Sequence, residues 1–299
     1  MKKLNLSERT KIIDGIITKY MPTEGGYQKT LYSAMNYSIA AGGKRIRPML
    51  LLESYRLFTD ENEEICHPLM AAVEMIHTYS LVHDDLPSMD NDEYRRGRKT
   101  THIVYGEAMA ILAGDALLNL AFETALEIFK TDNPEMVGRG IKAIQVLAEK
   151  AGSKGMIGGQ TADILAEEGK FTPSMELLYF IHTHKTAALV EAAMMIGGIL
   201  AGADNENVEK LKKAAYNIGI AFQFQDDILD ITGSFAELGK PIGSDDESKK
   251  LTSVSLKGLD KTKAEVERLS QNAIEILDSF PRKNAFLLEL VESLIYRRK

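Results

Sequence analysis

Residues 222–230, FQFQDDILD, put three carboxylates where an interior helix would normally carry leucines. Gln223, Asp226, Asp227 and Asp230 follow the i, i+3, i+4, i+7 spacing of one helical face. Phe222, Phe224, Ile228 and Leu229 take the reverse side, so this is not a solvated polar helix. A second acidic stretch, HDDLPSMD (83–90), supplies Asp84, Asp85 and Asp90. Pro87 disfavours helical geometry at Leu86, so Asp84 and Asp85 close a helix, and Gly233 marks a similar end after Asp230. Aspartates there oppose the helix dipole at about 0.3–1 kcal/mol each when exposed, and their like charges repel. A positive partner must compensate. An oxygen-only donor set selects Mg²⁺ over zinc, and Mg²⁺ is commonly bridged to a substrate phosphate.

The chain supplies cations for such a ligand in short bursts. GGKRIRP (42–48) carries Lys44, Arg45 and Arg47, and YRRGRK (94–99) carries Arg95, Arg96, Arg98 and Lys99. HTHKTAA (182–188) offers Lys185 and Thr186, and LGKPIGSD offers Lys240. Arginine grips phosphate oxygens bidentately, while lysine acts as a point charge. His77 stands seven residues before Asp84, two turns along nearly the same helical face. The glycine-rich GSKGMIGGQTAD (152–163) lacks the Gly-Lys-Ser/Thr ending of a P-loop and follows no strand. Its small residues at helical spacing predict close packing instead.

The elements that must position these groups are helices. Periodicity predicts them over about residues 5–20, 27–41, 48–58, 67–85, 105–130, 134–150, 156–168, 173–201, 205–232, 260–279 and 283–297. Asp132-Asn133-Pro134 and Thr172-Pro173 place a capping side chain ahead of proline at the first helical position. Alternation is confined to the short LTSVSL (251–256), and charged loops are expected at 86–104 and 233–258. The reading is all-α, with residues 1–299 as one domain.

Among 299 residues the net charge is −7, which argues against general nucleic-acid binding. The lone Cys66 excludes an internal disulfide and fits a reducing cytoplasm. The N-terminus lacks the continuous apolar run of a signal peptide. The apolar window 186–203 is short for a membrane span and interrupted by Glu191, which predicts a buried core helix.

Taken together, GGKRIRP, IHTYSLVHDDLPSMDNDEYRRGRKTTH, GMIGGQTADI, HTHKTAAL, AFQFQDDILDITG and LGKPIGSD resemble, in order, the trans-isoprenyl diphosphate synthases, in particular the bacterial farnesyl diphosphate synthases. The resemblance covers about residues 40–253. It implies an all-α isoprenoid synthase fold with helices around a deep central cavity, usually a homodimer. It implies condensation of isopentenyl diphosphate with dimethylallyl or geranyl diphosphate, giving farnesyl diphosphate and pyrophosphate. Three Mg²⁺ are expected, held by Asp84, Asp85 and Asp90 and by Asp226, Asp227 and Asp230, the last two partly through waters. Arg95, Lys185 and Lys240 are expected on the allylic diphosphate, and Lys44, Arg47, His77 and Arg96 on that of isopentenyl diphosphate. Thr186 and Gln223 are expected to face the allylic cation with their oxygens.

Tyr79, five residues before the first aspartate and about 7.5 Å deeper along the helix, corresponds to the family's chain-length position and predicts a C15 product. A C20 product is the alternative. Two departures stand out: the family's proline after RRGx is Lys99, and its aromatic after KLT is Ser253. A terpene cyclase would mix Asn, Ser/Thr and Glu in its second motif, unlike residues 226–230. Glu64-x-x-His67 and Glu74-x-x-His77 match a di-iron pattern, but they lie only ten residues apart with Pro68 between them. A silent partner subunit should have lost one aspartate cluster, and this chain keeps both.

Overall fold

The computed structural model describes residues 5–232 and 251–295. Their regular elements are helices apart from one hairpin, and they fall into two compact units. The first comprises Met1–Leu52 and Glu61–Ile144; the second comprises Glu53–Asp60 and Gln145–Lys299. Two of the three boundaries fall within helices α3 (Ile46–Tyr55) and α7 (Pro134–Ala151), and the third lies between Asp60 and Glu61, outside any helix.

In the first unit, α1 (Leu6–Thr18) starts at a capping box: Asn5 accepts from the Glu8 amide, and the Glu8 side chain accepts from Asn5. Helix α2 (Lys29–Ile39) is followed by Gly42 and Gly43, both at positive φ. Helix α4 (His67–Asp84), headed by Pro68, runs through the core with Leu69, Met70, Val73 and Ile76 wholly buried. It packs on α6 (Glu107–Ala125), which follows the short α5 (Thr101–Tyr105). The 86–104 stretch, expected as a loop, contains α5's start and a hairpin of β1 (Tyr94–Arg95) and β2 (Arg98–Lys99). Arg96 and Gly97 both adopt positive φ, as a two-residue hairpin turn with right-handed strand twist requires.

In the second unit, α8 (Met156–Glu167) and α9 (Met175–Ile181) precede a wide π-helical turn, His182–Ala187. Helix α10 (Ala188–Ala201) follows, buried continuously from Ala188 to Leu200, as its apolar run predicts. Helices α11 (Asn205–Thr232) and α13 (Leu259–Asp278) pack together, with α12 (Ser253–Lys257) and α14 (Ala285–Ile295) beside them. The single span expected over 173–201 is thus broken by the π turn, and Ser174 rather than Thr172 caps its start. The alternating LTSVSL becomes α12, because Thr252 and Ser255 close a capping box. Asn133 caps α7 ahead of Pro134, as expected.

By length and composition, the one helix among the described residues able to cross a membrane is Glu107–Phe129. Only 39% of its apolar window is buried, and Ile111, Leu112 and Leu126 stay exposed.

Arg45, set between Lys44 and Arg47, is structural. Its guanidinium pairs with Asp14 at 2.7 Å and Glu74 at 2.8 Å and donates to the Ile39 carbonyl at 2.6 Å. Burial opposes its charge, but Glu74 and Asp14 outweigh that and hold its pKa above the ordinary value. Replacing one member of a buried pair strands the other. Arg45→Met is therefore expected to cost about 3–5 kcal/mol, read from the denaturant midpoint. A shift below ~1 kcal/mol would show that Glu74 finds another partner.

Candidate active site

Helix α4 ends at Asp84, so the first acidic stretch does occupy a helix C-terminus. Asp84 is half-buried, Asp85 buried and Asp90 exposed. Asp85 is gripped by Arg95, with Nε donating to Oδ1 at 2.7 Å; Asp92 stands 3.4 Å from the same guanidinium. Burial pushes the Asp85 carboxyl up, and Arg95 opposes that rise. Burial likewise opposes the Arg95 charge, but Asp85, Asp92 and Asp84 outweigh it.

The hairpin sets Arg96 against the Gly42-Gly43 turn. Its Nη1 donates to the Gly42 carbonyl, and a Cβ at Gly43, which already sits at φ 139°, would collide with the guanidinium. Arg98 is anchored separately, donating to the Ala40 carbonyl at 2.7 Å and lying over the Tyr37 ring. Arg96 is left within electrostatic reach of both Arg47 and His77. Burial pushes the His77 imidazole well below its ordinary value, and Arg47, Arg96, Arg95 and Arg45 all push the same way. Burial also lowers Arg47, with Arg96 adding to the effect, and Arg47 Nε is buried without a hydrogen-bond partner. Partial desolvation lowers Arg96 too, with Arg45 and Arg95 contributing, although its side chain stays exposed to solvent. Like charges crowded around an unsatisfied donor form a site prepared for an anion. Lys44 is exposed beside it.

In the second unit the π turn carries Lys185 and Thr186. π-helical turns inside α-helical runs recur at functional sites. This one fits because glycines face it: a Cβ at Gly159 would overlap the Lys185 backbone, and one at Gly219 would overlap Ala187. The small residues of 152–163 therefore serve packing. Lys185 Nζ bonds Asp163 at 2.6 Å, and Thr186 Oγ1 donates to Gln223 Oε1 at 3.1 Å. Gln223, Asp226 and Asp230 are half-buried on α11, whereas Asp227 is only 3% exposed. Asp227 Oδ2 accepts from both the amide and the hydroxyl of Ser253, each at 2.7 Å. Lys240 lies outside the described residues.

A polyprenyl synthetase family model matches residues 28–284, which contain both acidic stretches and the cation cluster. The chain belongs to this family. It is accordingly a prenyltransferase with the all-α isoprenoid synthase fold. Similar to this synthase are a geranylgeranyl diphosphate synthase of Cyanophora paradoxa, 42% identical over 98% of this chain and 95% of the relative, and a farnesyl diphosphate synthase of Geobacillus stearothermophilus, 45% identical over 85% and 84%. Among solved structures, a geranylgeranyl pyrophosphate synthetase from Pyrococcus horikoshii superposes with a TM-score of 0.84 at 30% identity, covering 98% of this chain and 97% of that one. A geranyltransferase from Helicobacter pylori, complexed with magnesium and isoprenyl diphosphate, gives 0.82 at 30% identity over 97% and 95%.

Three supports of the synthase's site went unnoticed in its sequence: Asp163 beneath Lys185, Ser253 on Asp227, and Gly43 making room for Arg96. Ser253 was visible only as a departure from the family's aromatic, and the glycine pair only as a helix stop.

An anion bound by Arg47, His77 and Arg96 would offset their mutual repulsion and raise the imidazole pKa. The imidazole must then take up a proton, over and above any exchanged by the ligand itself. Titrating the synthase and His77→Ala with pyrophosphate at about pH 6, in buffers of differing ionisation enthalpy, should report more proton uptake, or less release, for the unaltered chain than for the variant. The same proton exchange in both would count against the cluster as the anion site.

Proposed function

We propose that this prenyltransferase condenses isopentenyl diphosphate with dimethylallyl or geranyl diphosphate, releasing pyrophosphate and forming farnesyl diphosphate. The observation carrying the reading is the buried, unpaired Arg47 Nε, with the half-buried His77 and the exposed Arg96 within electrostatic reach of its guanidinium. A diphosphate supplies the charge and the acceptors that this cluster lacks. We assign it, with Lys44, to isopentenyl diphosphate, and Arg95, Lys185 and Lys240 to the allylic diphosphate.

The donor set suits magnesium. Asp226 and Asp230 are half-buried carboxylates one turn apart on α11, and Asp84 and Asp90 are accessible at the end of α4. Among the described residues no three His, Cys, Asp or Glu side chains converge as a metal cage. We expect the cation to be completed by water and substrate phosphate. Magnesium, when bound, would neutralise charge on the departing diphosphate; we expect three ions, with Asp85 and Asp227 orienting their neighbours. Breaking the allylic C–O bond leaves a carbocation, which we expect Thr186 and Gln223, hydrogen-bonded to each other, to face with their oxygens. The isopentenyl double bond forms the new C–C bond, and the proton then lost passes to pyrophosphate.

Product length rests on Tyr79. Its ring is 5% exposed, and its hydroxyl is buried without a partner. Burial, assisted by the Asp84 charge, pushes the phenol up to about 12, so it stays neutral. We take this ring as the floor that stops elongation at C15. The second reading, a C20 product, is favoured by the Cyanophora paradoxa relative, which matches 98% of this chain. We further propose that residues 1–299 act as one synthase domain in the cytoplasm, as a homodimer using the exposed apolar residues of α6, with no membrane span. Incubation with Mg²⁺, isopentenyl diphosphate and geranyl diphosphate, then chromatography of dephosphorylated products, tests the reaction. Farnesol is expected, geranylgeraniol would correct the length, and a ring-containing hydrocarbon would overturn the reaction. Ile111→Asp with Leu112→Asp should halve the mass seen by light scattering; an unchanged mass removes α6 as the contact.

A further inference from the structure

Tyr79 can limit product length only if its ring is held still, and the structure shows what holds it. One turn later on α4, the His83 imidazole meets Tyr79 edge to face, with ring centroids 5.8 Å apart and planes at 79°. The imidazole is itself fixed from α6. Its Nε2 lies 3.1 Å from the Ile111 carbonyl oxygen, a bond that requires the proton on Nε2. Asp115 Oδ1 stands 3.8 Å from the same nitrogen. Gly114 leaves the space: a Cβ there would collide with Nε2, Cδ2 and Cε1 of His83. A glycine inside a helix costs about 0.5–1 kcal/mol relative to alanine, so its presence at the contact calls for a reason. Seating the imidazole against the α6 backbone supplies one.

We propose that His83, clamped by Gly114 and the Ile111 carbonyl, is a positioning residue for product length, acting by bracing the Tyr79 ring. The proposal rests on the reading of Tyr79 as the elongation floor. His83 touches neither the diphosphates nor the reacting carbons in this role. It removes the rotational freedom that would let an aromatic floor yield to a growing isoprenoid chain. Tyr79 has no hydrogen bond at its hydroxyl to resist such movement, so packing against its ring must do so.

The test is the product ratio, which a fall in yield or folded fraction leaves unchanged. Tyr79→Ala, His83→Ala, Gly114→Ala and Tyr79→Ala/His83→Ala are each incubated with isopentenyl and geranyl diphosphates, and the product alcohols are separated by length. Gly114→Ala unseats the imidazole while retaining both rings. His83→Ala and Gly114→Ala are each expected to raise the fraction of products longer than the unaltered chain's by several-fold. The double variant should match Tyr79→Ala, because His83 acts through that ring. If Tyr79→Ala lengthens the products while His83→Ala and Gly114→Ala leave them unchanged, the brace is overturned and the floor stands. If the double variant lengthens products well beyond Tyr79→Ala, His83 acts independently and the proposal fails. If Tyr79→Ala itself changes nothing, the floor reading fails and takes the brace with it.

Discussion

Arg47 and Arg96 both stand within electrostatic reach of the half-buried His77 imidazole and disfavour its charged form, and the folded chain tolerates that crowding. Desolvation disfavours the charge of all three groups, Arg96 disfavours that of Arg47, and Arg45 and Arg95 disfavour that of Arg96. Without a ligand to answer it, such crowding would be replaced or neutralised. Here Glu74 lies within electrostatic reach of Arg47 and Arg96, but its hydrogen bond goes to Arg45. The local acid is committed to holding the scaffold, and the remaining cations are left short of negative charge. Electrostatic preorganisation of this kind is built at the cost of stability and recovered when an anion binds.

The same division between holding and working groups recurs along the basic stretches. In RRGRK, Arg95 closes on Asp85, Arg98 on the α2 terminus, and Arg96 is left within electrostatic reach of Arg47 and His77. In GGKRIRP, Arg45 is structural while Arg47 keeps an unmet donor. Alternate residues of a two-residue hairpin turn and of a helix start point in different directions. Adjacent arginines therefore have different partners.

That division explains what was legible in the sequence. The acidic stretches were readable because aspartates on an apolar helix contradict its burial, and a contradiction of that kind needs a ligand. Most helices were readable because their apolar periodicity is strong and their ends carry proline, glycine or capping side chains. The π turn left no such mark: HTHKTA contains neither proline nor glycine, and the glycines that permit it sit on α8 and α11. The hairpin was hidden because its turn signal, Arg96-Gly97, lies within a charge run that also suits a solvated loop. Partners distant in sequence, such as Ser253 for Asp227, cannot be deduced from helical spacing at all.

The second acidic motif shows why spacing alone is insufficient. A helical wheel places Asp226, Asp227 and Asp230 on one stripe, yet the fold gives them unequal environments. Asp227 faces α12, where Ser253 satisfies one of its oxygens twice, and the imidazole of His182 stands 3.9 Å from that same oxygen. A carboxylate held by an amide and a hydroxyl in a buried site is expensive to move. It therefore fixes the rotation of the last turns of α11, and with it the direction in which the half-buried Asp226 and Asp230 present their oxygens. His182 begins the π turn that carries Lys185 and Thr186, so Asp227 also borders that segment. In the function we propose, one aspartate of the three would align the helix so that the other two could hold a cation, a role that requires the carboxylate to be buried rather than exposed to a ligand.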